Sequence, residues 1–445
     1  MSKTFSLGGI HPHDNKISAA ASIENFPLVD TAYISMSQHL GAPAEPVVAK
    51  GDIVKVGQLI AKSSGFISAN IHSSVSGVVS SVELLPDLSG TMVQHVVIKV
   101  DGDVWMENID RSEEIVGEIK LSGPEIIAKI AECGIVGLGG AAFPTNIKLS
   151  PPPGKKAEYL IINGAECEPY LTSDYRIMVE SPEQILIGTK IMMRALNVKN
   201  AYFGVEDNKP KAIKLLKKIA GKNYPEIKIV PLTKRYPQGG EKQMIEAITG
   251  RQVPSMGLPI DVGVVVQNVG TALAVYEAVQ KNKPLFDGIV TITGNCMTEQ
   301  RNFRLRVGTT FDTMMYAIGG LPKDAVKLIS GGPMMGKAVC RMDAASVKST
   351  SALLLLTEAE TKRGVESNCI RCAKCVDACP MGLEPYLLNR LSRADRIEDL
   401  EEHMVHDCIE CGCCLYTCPS NIPLLDTIRL SKAQVIKIIR SRPKK

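Results

Sequence analysis

Hydrophobic and polar positions follow two rhythms along this chain, and the change falls near residue 108. Before it, short apolar runs such as Pro46-Val47-Val48, Ile53-Val54-Lys55-Val56 and Gly77-Val78-Val79 are separated by turn signals at Lys50-Gly51-Asp52, Val56-Gly57-Gln58 and Ser64-Gly65. Runs this short and evenly spaced predict a small sandwich or barrel over residues 1–107. After it the period lengthens. "SGPEIIAKIAECGIVG", "SPEQILIGTKIMMRAL" and "KPKAIKLLKKIAG" carry apolar residues at helical spacing; "AEYLIINGAECEP" predicts a buried strand and loop, and "VGVVVQNVGTALAVYEAV" a strand, a turn and a helix. Residues 108–288 therefore form an α/β unit of nucleotide-binding type.

Residues 289–348 mix strands with one helix and suit a small β-grasp unit. Residues 349–428 hold a cysteine block, and 429–445 form a tail with seven basic residues and no acidic one. Leu430, Val435, Ile436, Ile438 and Ile439 interleave with those charges. The tail is expected to dock on a membrane complex or, equally, to close the cysteine-rich unit as a surface helix. The stretch around "KVGQLIAKSSGFISANIHSSVSGVV" resembles barrel-sandwich domains of the biotinyl/lipoyl type. Those carriers need a lysine on an exposed hairpin, and none occurs between Lys62 and Lys99, so a structural or docking role is expected.

Composition narrows the class. The 445 residues are 45% hydrophobic and 22% charged, which excludes a disordered chain, a collagen-like fibre and a disulfide miniprotein. No apolar run reaches the roughly 18 residues of a spanning helix; the nearest, Val262 to Tyr276, contains Gln267 and Asn268. The N-terminus lacks the apolar core of a secretory signal, and a net charge of +4 is too slight to argue for nucleic acid. A soluble, cytoplasmic-type polypeptide is expected.

Nine of the 13 cysteines fall between Cys369 and Cys418. Two runs match C-x2-C-x2-C-x3-C-P: Cys369, Cys372, Cys375 and Cys379-Pro380, then Cys408, Cys411, Cys414 and Cys418-Pro419. This is the bacterial pattern of 4Fe–4S ligation, in which three closely spaced thiolates wrap one face of a cube and the fourth cysteine of each run serves the other cube. The expected ligand sets are thus Cys369, Cys372, Cys375 and Cys418 for one cluster, and Cys408, Cys411, Cys414 and Cys379 for the second. Paired zinc sites are the alternative, but zinc needs only two knuckles per site and no Cys-Pro after each run. Cys413 breaks the spacing; Cys133, Cys167, Cys296 and Cys340 read as small buried apolar residues.

"CGIVGLGGAAFPTNIKL" follows a predicted helix, and its glycines let backbone amides approach a phosphate or an isoalloxazine ring. Downstream lie "NGAECEP", "YPQGGEKQ" and "QNVGT". In this order the four segments resemble the flavin-binding NADH dehydrogenase subunit of respiratory complex I over about residues 130–420. With "GGIHPHDNK", "SGGPMMG" and the cysteine runs added, nearly the whole chain is similar to the C-subunit family of Rnf ion-translocating ferredoxin:NAD oxidoreductases. The resemblance implies a multidomain α/β protein: barrel-sandwich, Rossmann-like flavin/NADH domain, β-grasp unit and a helical ferredoxin-like two-cluster domain.

It also implies roles. Gly137, Gly139, Lys148, Asn163, Tyr236, Gly239, Asn268 and Thr271 would surround non-covalent FMN, with Lys148 on its phosphate. Phe143 would stack on the adenine of NADH, while Glu166, Glu168 and Glu241 would face the nicotinamide and ribose. Leu138, Ala165 and Gly240 stand where the complex I pattern has arginine, aspartate and glutamate. NAD takes two electrons at once and an iron–sulfur cube one, so a flavin belongs between them and no catalytic acid or base is required. The implied setting is peripheral, on the cytoplasmic face of the cell membrane. Its partners would be the other subunits of the complex, among them a ferredoxin-like iron–sulfur subunit, and ferredoxin itself. A flavin and iron–sulfur cobalamin reductase of diol utilisation and a non-enzymatic cluster scaffold are the alternatives.

Overall fold

The computed structural model describes residues 2–442. The strands Ile227–Leu232, Asn200–Glu206, Tyr159–Gly164 and Val264–Asn268 form, in that spatial order, an all-parallel sheet. Both faces are covered, which is why "YLII" reads as a continuous apolar run. Successive residues serve opposite cores. Leu160 and Ile162 join the helices Pro182–Leu196 and Val269–Lys281 on one side, while Ile161 meets Met244, Ile245 and Ile248 of the helix Glu241–Thr249 on the other. The helix starts are written locally. Glu125 accepts from the backbone N–H and hydroxyl of Ser122 at 2.7 and 2.6 Å, ahead of the helix Gly123–Glu132. Asn268 accepts from Gly270 N–H at 2.7 Å to cap Val269–Lys281.

The predicted β unit consists of two sheets. Thr31–Ser35, Met92–Val100, Gly77–Pro86 and Ile53–Val54 form an antiparallel sheet of four, and Glu45–Pro46, Leu59–Lys62 and Ile71–His72 a sheet of three. Its core is continuous with that of the β-grasp unit: Ile34, Val96 and Ile98 pack in one cluster with Val290, Ile292, Leu353 and Leu355. Two unit boundaries differ from the expectation. The strands Ile23–Asn25 and Ala352–Thr357 belong to the six-stranded β-grasp sheet, because backbone pairing with Arg301–Arg306 and Asp287–Thr293 captures them. Residues 3–18 leave the sandwich and lie along the flavin-type domain, with Lys3 bridging Leu232 and Ile10 bridging Tyr236.

The cysteine-rich unit is helical, with a core of Leu383, Leu388, Leu400, Val405, Leu424, Ile428 and Val435. The helix Leu424–Ser441 contains most of the basic tail. Three of the tail's seven basic residues are engaged inside the unit: Arg429 and Lys432 pair with Glu410 at 3.1 and 2.8 Å, and Arg442, just past the helix, lies against Glu401. Up to Ser441 the tail is a helix packed on the unit, as one of the two expectations had it; residues 443–445 lie outside the described residues. Val435 is fully buried there, whereas Leu430 points out at 72% exposure. Among the described residues no helix is long and apolar enough to cross a membrane.

Candidate functional site

The glycine loop is held against the N-terminus of the Val269–Lys281 helix. Leu138 N–H donates to the Thr271 hydroxyl at 3.0 Å, and Gly137 N–H to the carbonyl of the half-buried Phe143 at 2.9 Å. Gly139 passes so close that an added Cβ would stand 2.9 Å from Cβ of Asn268. Asn163, at the end of its strand, donates to the Gly239 carbonyl at 2.8 Å, and Gly239 N–H points at the Cys167 thiol, 3.4 Å away. The segments expected around FMN therefore converge, with Gly139 and Gly140 exposed along the loop.

Several groups are engaged differently from the expectation. Lys148, expected on the flavin phosphate, pairs with Glu241, expected at NADH, at 2.6 Å, and donates to the Val266 carbonyl at 3.1 Å. Glu168 does not open freely toward a ligand. Its carboxylate accepts from the backbone N–H groups of Met334 and Met335 at 3.1 and 2.8 Å, so "SGGPMMG" clamps it. Burial, outweighing those donors, pushes its pKa up to about 7. Glu166 accepts from Asp174 N–H at 2.8 Å, at the start of the helix Ser173–Glu180, but its Oε2 is buried with no hydrogen-bond partner. Asp174, which the motifs did not single out, receives the Asn268 amide at 2.8 Å; burial and then the Glu166 charge push it up to about 7.

The fit to FMN rests on these donors and on unmet ones. Gln238, beside Gly239, is fully buried with neither amide atom partnered; Gln267 Nε2 and Thr145 Oγ1, on the neighbouring segments, are likewise unmet. Buried polar groups without partners are costly, and an oxygen- and nitrogen-rich ligand is the chemistry that satisfies them.

In the helical unit, Cys379, Cys408, Cys411 and Cys414 line one cavity, walled otherwise by Leu383, Leu388 and Ile428. Among the described residues, no three His, Cys, Asp or Glu side chains converge on a point as a single ion requires. Here the thiols surround a space instead, and that arrangement fits a cube. Burial pushes the Cys408 thiol up to about 11, so a thiolate there needs the positive charge that iron supplies. The surplus Cys413 borders the same cavity and is fully buried. Cys375 and Cys418 lie close together: burial raises the pKa of the Cys375 thiol, and the charge of Cys418 adds to that rise. Ser367 N–H to Ser420 carbonyl (2.9 Å) and Ser420 hydroxyl to Asn368 carbonyl (3.0 Å) lay the exposed Cys369 segment beside Cys418.

Several hydrogen bonds join the two regions. The Tyr236 hydroxyl donates to the Cys411 carbonyl at 2.8 Å, and Gln243 of the next helix donates to the Pro380 carbonyl at 3.2 Å. Gly9 N–H donates to the Ala378 carbonyl at 2.9 Å; beside it Gly8, in the left-handed region at φ 66°, packs so tightly on Cys379 that any Cβ would collide.

Comparison with known proteins follows the same order of parts. Residues 3–103 match the RnfC barrel sandwich hybrid domain, 130–277 the Nuo51 FMN-binding domain, 289–338 the SLBB domain and 362–419 the 4Fe-4S dicluster domain. The chain is 47% identical, over 90% of its length and 87% of the relative's, to the C subunit of the proton-translocating ferredoxin:NAD(+) oxidoreductase complex of Clostridium ljungdahlii. It is 43% identical to the C subunit of the Na(+)-translocating ferredoxin:NAD(+) oxidoreductase complex of Acetobacterium woodii, over 96% of both chains. The chain belongs to this family of C subunits. A third member, from Rhodobacter capsulatus, is 40% identical over 89% of this chain and 76% of its own. Among solved structures, an NAD+-reducing nickel–iron hydrogenase shares the fold at a TM-score of 0.50 and 17% identity, covering 71% of this chain; this chain spans 63% of that one.

Proposed function

We propose that this member of the family carries electrons between NAD(H) and the other subunits of an ion-translocating ferredoxin:NAD oxidoreductase, at the cytoplasmic face of the membrane. The observation that carries the reading is the Tyr236–Cys411 bond, which abuts the converged flavin-type segments directly on the four-cysteine cavity. When bound, FMN exchanges a hydride with NAD(H) and single electrons with iron–sulfur cubes.

The chain's own residues bind, orient and exclude water. Gly137, Gly139, Asn163, Tyr236, Gly239, Asn268 and Thr271 would form the FMN cradle, and Lys148, now paired with Glu241, would be its cationic group for the phosphate. Phe143 offers a ring for the adenine. Glu166, with its unpartnered Oε2, suits a ribose hydroxyl or carboxamide N–H; Glu168 and Glu241 would join it there only on leaving Met334 and Met335, and Lys148, respectively. Cys369, Cys372, Cys375 and Cys418 hold one cube, and Cys379, Cys408, Cys411 and Cys414 the other. Cys369 and Cys372 are exposed and the second set is largely buried, so the first cube faces the redox partner, a ferredoxin-like iron–sulfur subunit.

The test is an anaerobic ultraviolet–visible spectrum of reconstituted protein before and after NADH. Flavin bleaching together with loss of the broad cluster absorbance is expected. A flavin that NADH leaves oxidised would remove the dehydrogenase reading.

A further inference from the structure

"GGIHPHDNK" has a place in the fold that its sequence does not announce. Ile10 and Tyr236 exchange two backbone hydrogen bonds of 2.8 Å, which lead the segment past the flavin-type loop. Tyr170 N–H then donates to the Asp14 carbonyl at 3.0 Å, and the hydroxyls of Ser18 and Thr172 meet at 2.6 Å. Between these contacts the Lys16 ammonium donates to the carbonyls of Glu166, Glu168 and Leu171 at 2.8, 2.8 and 2.6 Å. An ammonium has three protons, and all three are spent on one loop. The same Nζ stands 3.8 Å from Oε2 of Glu166. From the far side, Lys209, paired with Glu206 at 3.0 Å, reaches the Glu166 carbonyl at 3.4 Å.

The space this leaves is polar. A small cavity is lined by Lys16, Glu166, Cys167, Glu206 and Tyr236 among others. Glu166 Oε2 and Glu206 Oε1, on residues 6% and 1% exposed, have no hydrogen-bond partner. Two buried acceptors, Glu166 Oε2 beside Lys16 and Glu206 Oε1 on the partner of Lys209, suit a ligand that brings O–H or N–H donors.

We propose that Lys16 is a positioning residue for NAD(H): by tying the carbonyls of residues 166, 168 and 171 to one point, it fixes the loop that presents Glu166. This rests on reading that loop as the NAD(H) contact. The three protons of Lys16 are engaged by the loop carbonyls and leave none for a ligand. It acts through the loop, and the chain thereby uses its N-terminal segment to complete a site whose other parts lie more than a hundred residues away.

The experiment measures binding of ADP-ribose, which cannot be reduced, to the full-length FMN-loaded protein by calorimetry, alongside NADH kinetics with an artificial acceptor. Lys16→Met should weaken ADP-ribose binding on the order of tenfold or more, as expected when a site element shifts by about an ångström. The effect should fall on KM rather than kcat, with FMN and iron content kept. Should Lys16→Met lose flavin or fail to fold, Lys16→Arg decides. It keeps the charge, but a planar guanidinium cannot converge three N–H groups on these carbonyls, so weakened ADP-ribose binding with flavin retained is expected. A folded Lys16 variant that binds ADP-ribose like the parent overturns the role of Lys16 and leaves the NAD(H) loop standing. A parent protein that does not bind ADP-ribose overturns both.

Discussion

The Tyr236 hydroxyl reaches the Cys411 carbonyl across 2.8 Å, from a loop of the flavin-type domain to a ligand run of the iron–sulfur unit. Tyr236 is itself 2% exposed, so no water replaces the bond if it is lost. Tyr236→Phe should therefore cost about 1–3 kcal/mol, the penalty of a buried acceptor left unmet. It should also alter the electron paramagnetic resonance signal of the cluster ligated by Cys408, Cys411 and Cys414 while sparing the other. Equal change in both signals would show that the bond is only a structural tie.

Exchange of the fourth ligands is tested by Cys379→Ser. Reconstituted parent protein should bind about eight irons. The variant should lose the signal of the cluster held by Cys408, Cys411 and Cys414, since Cys379 borders their cavity. Loss of the Cys369 cluster with the other intact would reverse the pairing.

Lys148 and Glu241 form a half-buried ion pair at 2.6 Å. If Lys148 turns to the flavin phosphate, Lys148→Ala should reduce FMN retention on gel filtration, by about 1.5–3 kcal/mol for one charge-assisted contact. Glu241→Gln, which frees the ammonium, should retain FMN at least as well as the parent. Flavin loss from both variants would mean that the pair is needed intact.

Lys348 offers a pH signature remote from the cysteine block. It is 3% exposed, donates to the Asn70 and Gly134 carbonyls at 2.7 Å each, and burial lowers its pKa from 10.5 to about 7. A neutral amine has two protons for those two carbonyls. Between about pH 7 and 10.5 the unfolded chain binds this proton and the folded chain does not, so the contribution of Lys348 to stability grows as pH rises through that window and is lost as pH falls to 7. Thermal unfolding of the parent and of Lys348→Met at pH 7 and 9.5 should show a gain in the parent that the variant lacks. Parallel shifts would assign the pH dependence to other groups.

Much of this protein is legible from sequence because its signals are local. Thiolate spacing around a cube is set within about ten residues, so both cysteine runs declare their chemistry without the fold. The Tyr159–Gly164 strand and the helices after it follow from unbroken apolar runs and from Pro and Asn at their ends, which act within a few residues. The glycine loop is visible for the same reason. The destination of the charges, by contrast, emerges only on folding. Coulomb and hydrogen-bond partners are chosen by proximity in space, so nothing near Lys148 in sequence signals Glu241, 93 residues on, and nothing near Lys16 signals the carbonyls of Glu166 and Glu168, 150 and 152 residues away. Glu168 reads as an NADH contact, and nothing near it in sequence signals the backbone of Met334 and Met335 that holds its carboxylate. Nothing near Arg429, Lys432 and Arg442 in sequence signals Glu410 and Glu401, which take their charges. Strand pairing, another non-local choice, moved Ile23–Asn25 and Ala352–Thr357 into the β-grasp sheet. Which chemistries the chain carries is thus written in short stretches of residues; which side chains stay free to perform them is settled by the fold, because burial and pairing are properties of neighbours brought together from afar.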